Sequence, residues 1–280
     1  MNRYSALAIT TSYWKPNTDY TEKIVNAIKA KVEDGDFVVV SEKAISTGLG
    51  NMVDESVIKS SWVARFLARV WMRFFWGYSV GILCGFGQRL LVRLRNYPLE
   101  SGSRHKQVAL QYAGFWQALM FGSEGGIDGS NMAYSYVSLP LNNAAALAKK
   151  IQEQIRHQIQ KKVCLIIADT DKTYKFRNFF FTPRPNPLPG IHSFGGIFTY
   201  AIGRMLRLKR SSTPLSVAGC NLGAYEALRI TNIADRARGP GSGATVWDMA
   251  ARFHTEIDEV TWEMLSAIEH KPIVIVRRIE

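Results

Sequence analysis

A glycine-rich stretch, Gly125-Gly126-Ile127-Asp128-Gly129-Ser130-Asn131-Met132, is answered about forty residues later by Val163-Cys164-Leu165-Ile166-Ile167-Ala168-Asp169-Thr170. The first segment sets an aspartate in flexible backbone. The second reads as a buried strand that ends on another aspartate. Two such carboxylates converging on one point make a hard-cation site, and a hard cation beside backbone N–H donors suits a nucleotide phosphate. A competing reading keeps Asp128 as a turn residue bonded to its own loop and Asp169 as a cap on a neighbouring strand. Spacing alone leaves both readings open.

The flanking pattern mixes helices and strands. Residues 5–11 alternate as a first strand, Asp19 and Glu22 resemble a capping box, and Asp34-Gly35-Asp36 turns into the apolar run Phe37-Val38-Val39-Val40-Ser41. Residues 57–76 and 88–94 read as helices around a hinge at Gly77, Gly81, Gly85 and Gly87. Asn142 or Asn143 caps a helix with Leu147, Ile151, Ile155 and Ile159 spaced by four. Residues 179–196, rich in proline and aromatics, read as an ordered flap. Residues 221–237 read as a helix, and Thr245 caps a last one carrying Val246, Met249, Phe253, Ile257 and Val260. A strand at 272–276 closes the chain. Strict β-α alternation is missing, so the expected fold class is α+β, as one unit over residues 1–280 with possible subdomains.

Cys84, Cys164 and Cys220 lie far apart and match no metal spacing, which predicts free thiols and a cytoplasmic location. The opening residues, Met1-Asn2-Arg3-Tyr4, lack the apolar core of a secretion signal. The net charge of +12 is concentrated in residues 56–100: no acid falls between Glu55 and Glu100, where Lys59, Arg65, Arg69, Arg73, Arg89, Arg93 and Arg95 sit among many aromatics. The longest uncharged run there, residues 74–88, falls short of the roughly 18–20 residues that span a bilayer. A buried helical element with arginines at its rim, an oligomer interface and a membrane-surface contact all remain open. Nucleic acid is not expected, since no recognised binding motif accompanies the charge.

Other residues gather around the two aspartates as candidates. Thr170 could offer its hydroxyl to a phosphate or an ion, and Asn131 could touch a nucleotide or fill a left-handed loop position. Glu226 is the candidate third acid for a second cation, against its reading as a solvated helix residue. Lys43 follows a buried strand and could reach phosphate oxygens. Residues 239–243, with Gly239, Gly241 and Gly243, could line a phosphate chain or form a plain interhelical turn. Lys175 and Arg177 are the candidates for contacting an acidic substrate.

From Asp34 onward the chain resembles the coenzyme F420-0:gamma-glutamyl ligase family. The segment Asp34-Gly35-Asp36 through Ser41-Glu42-Lys43 is similar to the family's early strand, and Gly126-Ile127-Asp128-Gly129-Ser130-Asn131 to its "AGIDxSN" signature. Ile166-Ile167-Ala168-Asp169-Thr170 resembles its "ISDT" strand end, and Glu226 loosely matches a helix acid. The resemblance implies an intertwined α+β homodimer. It further implies use of GTP (ATP is the alternative) with Mg²⁺ or Mn²⁺ to activate a small-molecule carboxylate as an acyl phosphate, which the amine of L-glutamate attacks. Asp128 and Asp169 would then hold one metal, with Thr170 and Glu226 near a second. Ser41, Lys43, Asn131 and the 239–243 loop would lie along the nucleotide. Beyond Thr170 the chain departs from the family pattern, reading Asp171-Lys172-Thr173-Tyr174-Lys175-Phe176-Arg177. The expected function is a metal- and nucleotide-dependent acid–amino-acid ligase. The rival is a non-catalytic nucleotide- or anion-binding protein, with residues 61–95 as a contact for a membrane surface.

Overall fold

A computed structural model describes residues 3–122 and 124–279; Met1 and Asn2, on which the leader argument begins, lie outside them. Among the described residues nine strands are formed: β1 Arg3–Thr11, β2 Phe37–Ser41, β3 Met52–Asp54, β4 Tyr136–Ser138, β5 Cys164–Phe176, β6 Phe179–Thr182, β7 His192–Ser193, β8 Lys209–Ala218 and β9 His270–Ile279. The main sheet runs β1-β9-β2-β5-β6-β7, with β8 on the other edge of β5, and β3 pairs with β4 apart from it. β2 and β5 are parallel, as are β6 and β7, and the other pairs are antiparallel. This mixed sheet with its helices is the α+β class expected.

The apolar runs are continuous because both faces of the sheet are covered. Successive side chains of a strand point to opposite faces. Val38, Val40, Leu165, Ile167, Ile273 and Ile275 therefore meet the helices Tyr20–Ile28 and Ala144–Ile159 through Ile24, Ile28, Ile151 and Ile155. Phe37, Val39, Ile166, Ala168, Val274 and Val276 face the opposite way, onto Ile230 and Ala234 of the helix Ala224–Arg238. Local capping works as the sequence suggests: the Asp19 side chain accepts from Glu22 N at 3.0 Å, and that of Thr245 from Asp248 N at 3.2 Å.

Residues 62–120 build a second core around Leu67, Met72, Trp76, Leu94 and Val108. Here the glycine hinge is corrected. The helix Trp62–Phe66 continues as a looser π-helical stretch, Leu67–Val80, through Gly77 and into Gly81–Leu83. Gly77 and Gly81 are sites of close approach: a Cβ would lie 2.9 Å from Arg95 Cγ at the first and 2.4 Å from Trp76 O at the second. The break comes at Gly85, in a left-handed conformation with φ 69°.

Further corrections follow from tertiary pairing. The expected flap carries β6 and β7, held by the register Tyr174↔Phe181 and Phe181↔His192. The last helix is broken: Val246–Phe253 stops at His254 with φ 55°, and a turn at Ile257–Glu259 and a helix Trp262–Ser266 follow. Cys164 and Cys220 are joined as a disulfide with Cα atoms 5.2 Å apart, because the pairing Leu165↔Ala218 brings their strand ends together. That replaces the free-thiol expectation and removes its argument for a reducing compartment. Cys84 is free and buried. Among the described residues, no helix is long and apolar enough to cross a membrane.

The Nε1 atoms of Trp71 and Trp76 both donate to the Leu119 carbonyl, at 2.7 and 2.8 Å, and Trp76 is fully buried. Trp76→Ala is expected to cost about 3–5 kcal/mol in urea unfolding. A loss below about 1 kcal/mol would mean that this core does not depend on the indole.

Candidate functional site

The parallel register Phe37↔Cys164 to Ser41↔Ala168 brings the exit of β2 level with Asp169. Ser41 stands directly before the helix Glu42–Gly48, so Glu42 and Lys43 leave the sheet beside Asp169. Asp169 does not end its strand, contrary to the sequence expectation. β5 continues, but its register with β8 slips from Asp169↔Thr213 to Lys172↔Ser212. Such a bulge re-aims side chains without ending the strand, and it leaves Thr170 exposed on the cleft.

The Asp128 loop is anchored by paired backbone bonds between Asp128 and Ser138, 3.2 and 3.0 Å long. Asp128 Oδ1 accepts from Ser130 N at 2.7 Å, the turn role that the sequence left open, while Oδ2 accepts from Lys43 Nζ at 2.6 Å. Lys43 also donates to the Ser130 carbonyl at 2.9 Å. Asn131, at φ 55°, takes the left-handed loop position, and its Oδ1 accepts from the Ser242 backbone N–H at 2.6 Å and from the Ser242 hydroxyl. Asn131 thus clasps the 239–243 loop to the Asp128 loop. A Cβ on Gly241 would sit 2.8 Å from Asn131 Oδ1, so the clasp needs glycine there.

Two residues that sequence reasoning missed hold the floor of the site. Arg184 donates through Nε to Asp169 Oδ2 at 2.7 Å and through Nη2 to Glu42 Oε1 at 2.6 Å. Glu42 also accepts from Leu141 N at 2.7 Å. Arg184 and Glu42 are buried. Burial pushes the Glu42 carboxyl up to about 7 against the pull of Arg184, a guanidinium it shares with Asp169. Gly126, at φ 97°, leaves room for Arg184: a Cβ would come within 2.7 Å of its Cζ. The nearest sequence signal was an arginine inside the proline-rich segment.

Ser41, Lys43, Asp128, Asn131, Asp169, Thr170, Gly239, Gly241 and Gly243 all line one cleft of about 1270 Å³. Glu226 does not. It accepts from Tyr4 Oη at 2.9 Å and Arg278 Nη2 at 3.0 Å, away from the two aspartates. Lys175 stacks over Tyr225, 4.4 Å from the ring centre, and Arg177 lies over Phe176; neither lines the cleft. Among the described residues no group of three His, Cys, Asp or Glu side chains is arranged to hold a metal.

The helical wall adds a polar cluster that the sequence did not reveal. His105 Nδ1 lies 2.6 Å from Glu55 Oε1, and Lys106 Nζ donates to Glu124 Oε1 at 2.9 Å. His105, Glu55 and Glu124 line the cleft. Burial opposes charge on His105, but Glu55 and Glu124 outweigh it and raise the imidazole from 6.5 to about 10. Lys106 and His105 hold the Glu124 carboxylate well below its usual range despite burial. A histidine raised on folding contributes stability that is complete below its unfolded pKa and is lost as pH climbs to its folded value. Wild-type stability should therefore fall from about pH 7 to about pH 9 by at most about 1.4 kcal/mol per unit from this group. His105→Gln should be less stable at about pH 7 and show a shallower decline in thermal melts. Equal slopes would sink the assignment.

The comparisons with known proteins agree with this arrangement. The family model described as F420-0:Gamma-glutamyl ligase matches residues 8–180, which include both aspartates, Lys43 and Asn131. An uncharacterised protein of Methanocaldococcus jannaschii, MJ1361, is 33% identical over 97% of this chain and 96% of its own length. With its α+β sheet carrying the matched segments, the chain belongs to the F420-0:gamma-glutamyl ligase family.

Proposed function

We propose that this protein is a GTP- and divalent-metal-dependent ligase that joins L-glutamate to a small-molecule carboxylate. The observation that carries the proposal is the meeting of Asp128, Asp169, Lys43 and the 239–243 loop on one cleft. The donor set fits a single Mg²⁺ or Mn²⁺: two carboxylates, each oxygen with a lone pair to spare, beside the exposed Thr170. Mg²⁺ characteristically takes one or two carboxylates and completes its shell with water and substrate phosphates. Glu226, the candidate for a second ion, lies off the cleft. When bound, the metal would neutralise phosphate charge during in-line transfer.

In this reading an oxygen of the substrate carboxylate attacks the γ-phosphorus and GDP leaves. The glutamate nitrogen then attacks the acyl carbon, inorganic phosphate departs, and the amine proton passes to solvent. Lys43, held by Asp128 and Ser130, offers a fixed positive charge to the phosphates. The 239–243 loop, clasped by Asn131, bounds the nucleotide end. Asp128→Asn and Asp169→Asn are each expected to remove glutamate-dependent GDP release and the Mn²⁺-dependent part of GTP binding in calorimetry, while Glu226→Gln keeps both. Normal turnover in both aspartate variants would refute the reading, and a parallel ATP titration identifies the nucleotide.

A second property attaches to the helical module. Trp62, Phe66, Phe74 and Tyr78 are exposed there beside exposed Arg65 and Arg69. No acid lies between Glu55 and Glu100 to offset those arginines, and an anionic bilayer surface complements both the charge and the rings. A homodimer, implied by the family resemblance, would then form through another face. Vesicles containing phosphatidylserine should co-sediment the protein, and Trp62→Ala with Arg69→Ala should release it. Equal retention of that double variant would count against the bilayer contact.

A further inference from the structure

Among the described residues, Arg238 is the arginine of the cleft that has buried guanidinium nitrogens without a hydrogen-bond partner. It ends the helix Ala224–Arg238, lines the cleft, and stands directly before the glycine loop. Its Nε and Nη2 atoms are shut off from solvent and have no hydrogen-bond partner among the described residues. Two carboxylates attract it, Asp235 and Asp169, yet each is bonded to another cation. Asp235 Oδ2 accepts from Lys172 Nζ at 2.9 Å, and Asp169 Oδ2 accepts from Arg184 Nε at 2.7 Å.

The contrast with Arg184 is informative. That guanidinium has two carboxylates within bonding distance, and its charge is strengthened by them. The Nε and Nη2 atoms of Arg238 have lost water without gaining a direct acceptor, and burial lowers the residue's hold on the proton. A guanidinium presents five donors and stays charged in proteins, so leaving the three on Nε and Nη2 dry and unpaired is costly. Lys43, Lys172 and Arg210 line the same cleft. Arg238 also lies outside residues 8–180, the part matched by the family model.

We propose that Arg238 anchors a phosphate chain, donating Nε–H and Nη2–H as a bidentate fork to two non-bridging oxygens. The inference rests on the nucleotide reading of the cleft and assigns the residue that grips the polyphosphate, beyond the aspartate end where a metal would sit. A carboxylate could take the same fork. The phosphate chain is favoured because Lys43, Lys172 and Arg210 line the same cleft and suit an anion with several negative oxygens.

Calorimetry with inorganic tripolyphosphate in the presence of a chelator tests the anchor without metal or nucleoside, with glutarate as counter-probe. Wild type should bind tripolyphosphate. Arg238→Met should weaken that binding at least about tenfold, Arg238→Lys should restore part of it, and Arg156→Met, on an exposed turn of another helix, should not change it. The ligand-free Arg238→Met protein should melt higher, by roughly 2–4 °C, because an unpaired buried charge is replaced by an apolar chain. A purely structural arginine would shift melting the other way. The proposal is overturned by no tripolyphosphate binding to wild type, by equal binding to Arg238→Met, by Arg238 dependence for glutarate alone, or by a lower melting temperature in that variant. Asp128→Asn separates this site from the ligase reading: turnover should vanish while metal-free tripolyphosphate binding persists.

Discussion

The buried bridge from Glu42 through Arg184 to Asp169 is the constraint on which the site depends. It joins three segments with no local relation in sequence: the helix leaving β2, the bulge in β5 and the turn after β6. Taking these charges out of water costs several kcal/mol per ion, and mutual attraction offsets that only when the geometry is good. Removal of Arg184 would leave two carboxylates facing each other in a dry place, a change in the range of about 3–5 kcal/mol for a broken buried pair. The bridge also orients Asp169. With Oδ2 committed to Arg184 and Oδ1 near the Asp171 N–H, the carboxylate has little freedom to turn from the cleft.

The second aspartate is oriented by a parallel device. Lys43 follows Glu42 directly, so one turn of helix sends a carboxylate down to Arg184 and an ammonium across to Asp128. Both cleft aspartates are therefore referred to the same two consecutive residues at the exit of β2. That exit is itself set by parallel pairing in a sheet covered on both faces. The rigidity of the site comes from the sheet core, while Tyr97, His105 and Phe121, which also line the cleft, come from the separate helical module of residues 62–121. Ligands bound in such a cleft would touch both cores.

Much of this was legible. The runs at Phe37 and Cys164 predict buried strands because apolar continuity reports burial on both faces, and the spacing of Leu147, Ile151 and Ile155 reports one helix face. Asp19 and Thr245 predict their caps because the bonds they make span three residues. Asp128, Asp169, Lys43 and Asn131 were recognisable through their local motifs, and they do share a cleft. The errors fell where a residue's surroundings come from distant chain. Glu226 has the right residue type on the right kind of helix, but that helix turns it to Tyr4 and Arg278. Lys175 and Arg177 follow Asp169 closely in sequence, yet the long strand carries them away from it.

The sequence by itself determined the strands β1, β2 and β9 and the start of β5, most of the helices, the concentration of positive charge on one module and the pair of aspartates, because periodicity, caps and turn residues act over a few neighbours. Tertiary structure alone decided the Cys164–Cys220 pair, the conversion of a proline-rich segment into β6 and β7, the Glu42–Arg184–Asp169 bridge and the unpaired guanidinium of Arg238. The physical reason is common to all four. Strand register brings remote side chains within bonding distance or withholds a partner from them, and desolvation then sets whether a charge is satisfied, shared or left waiting for a ligand.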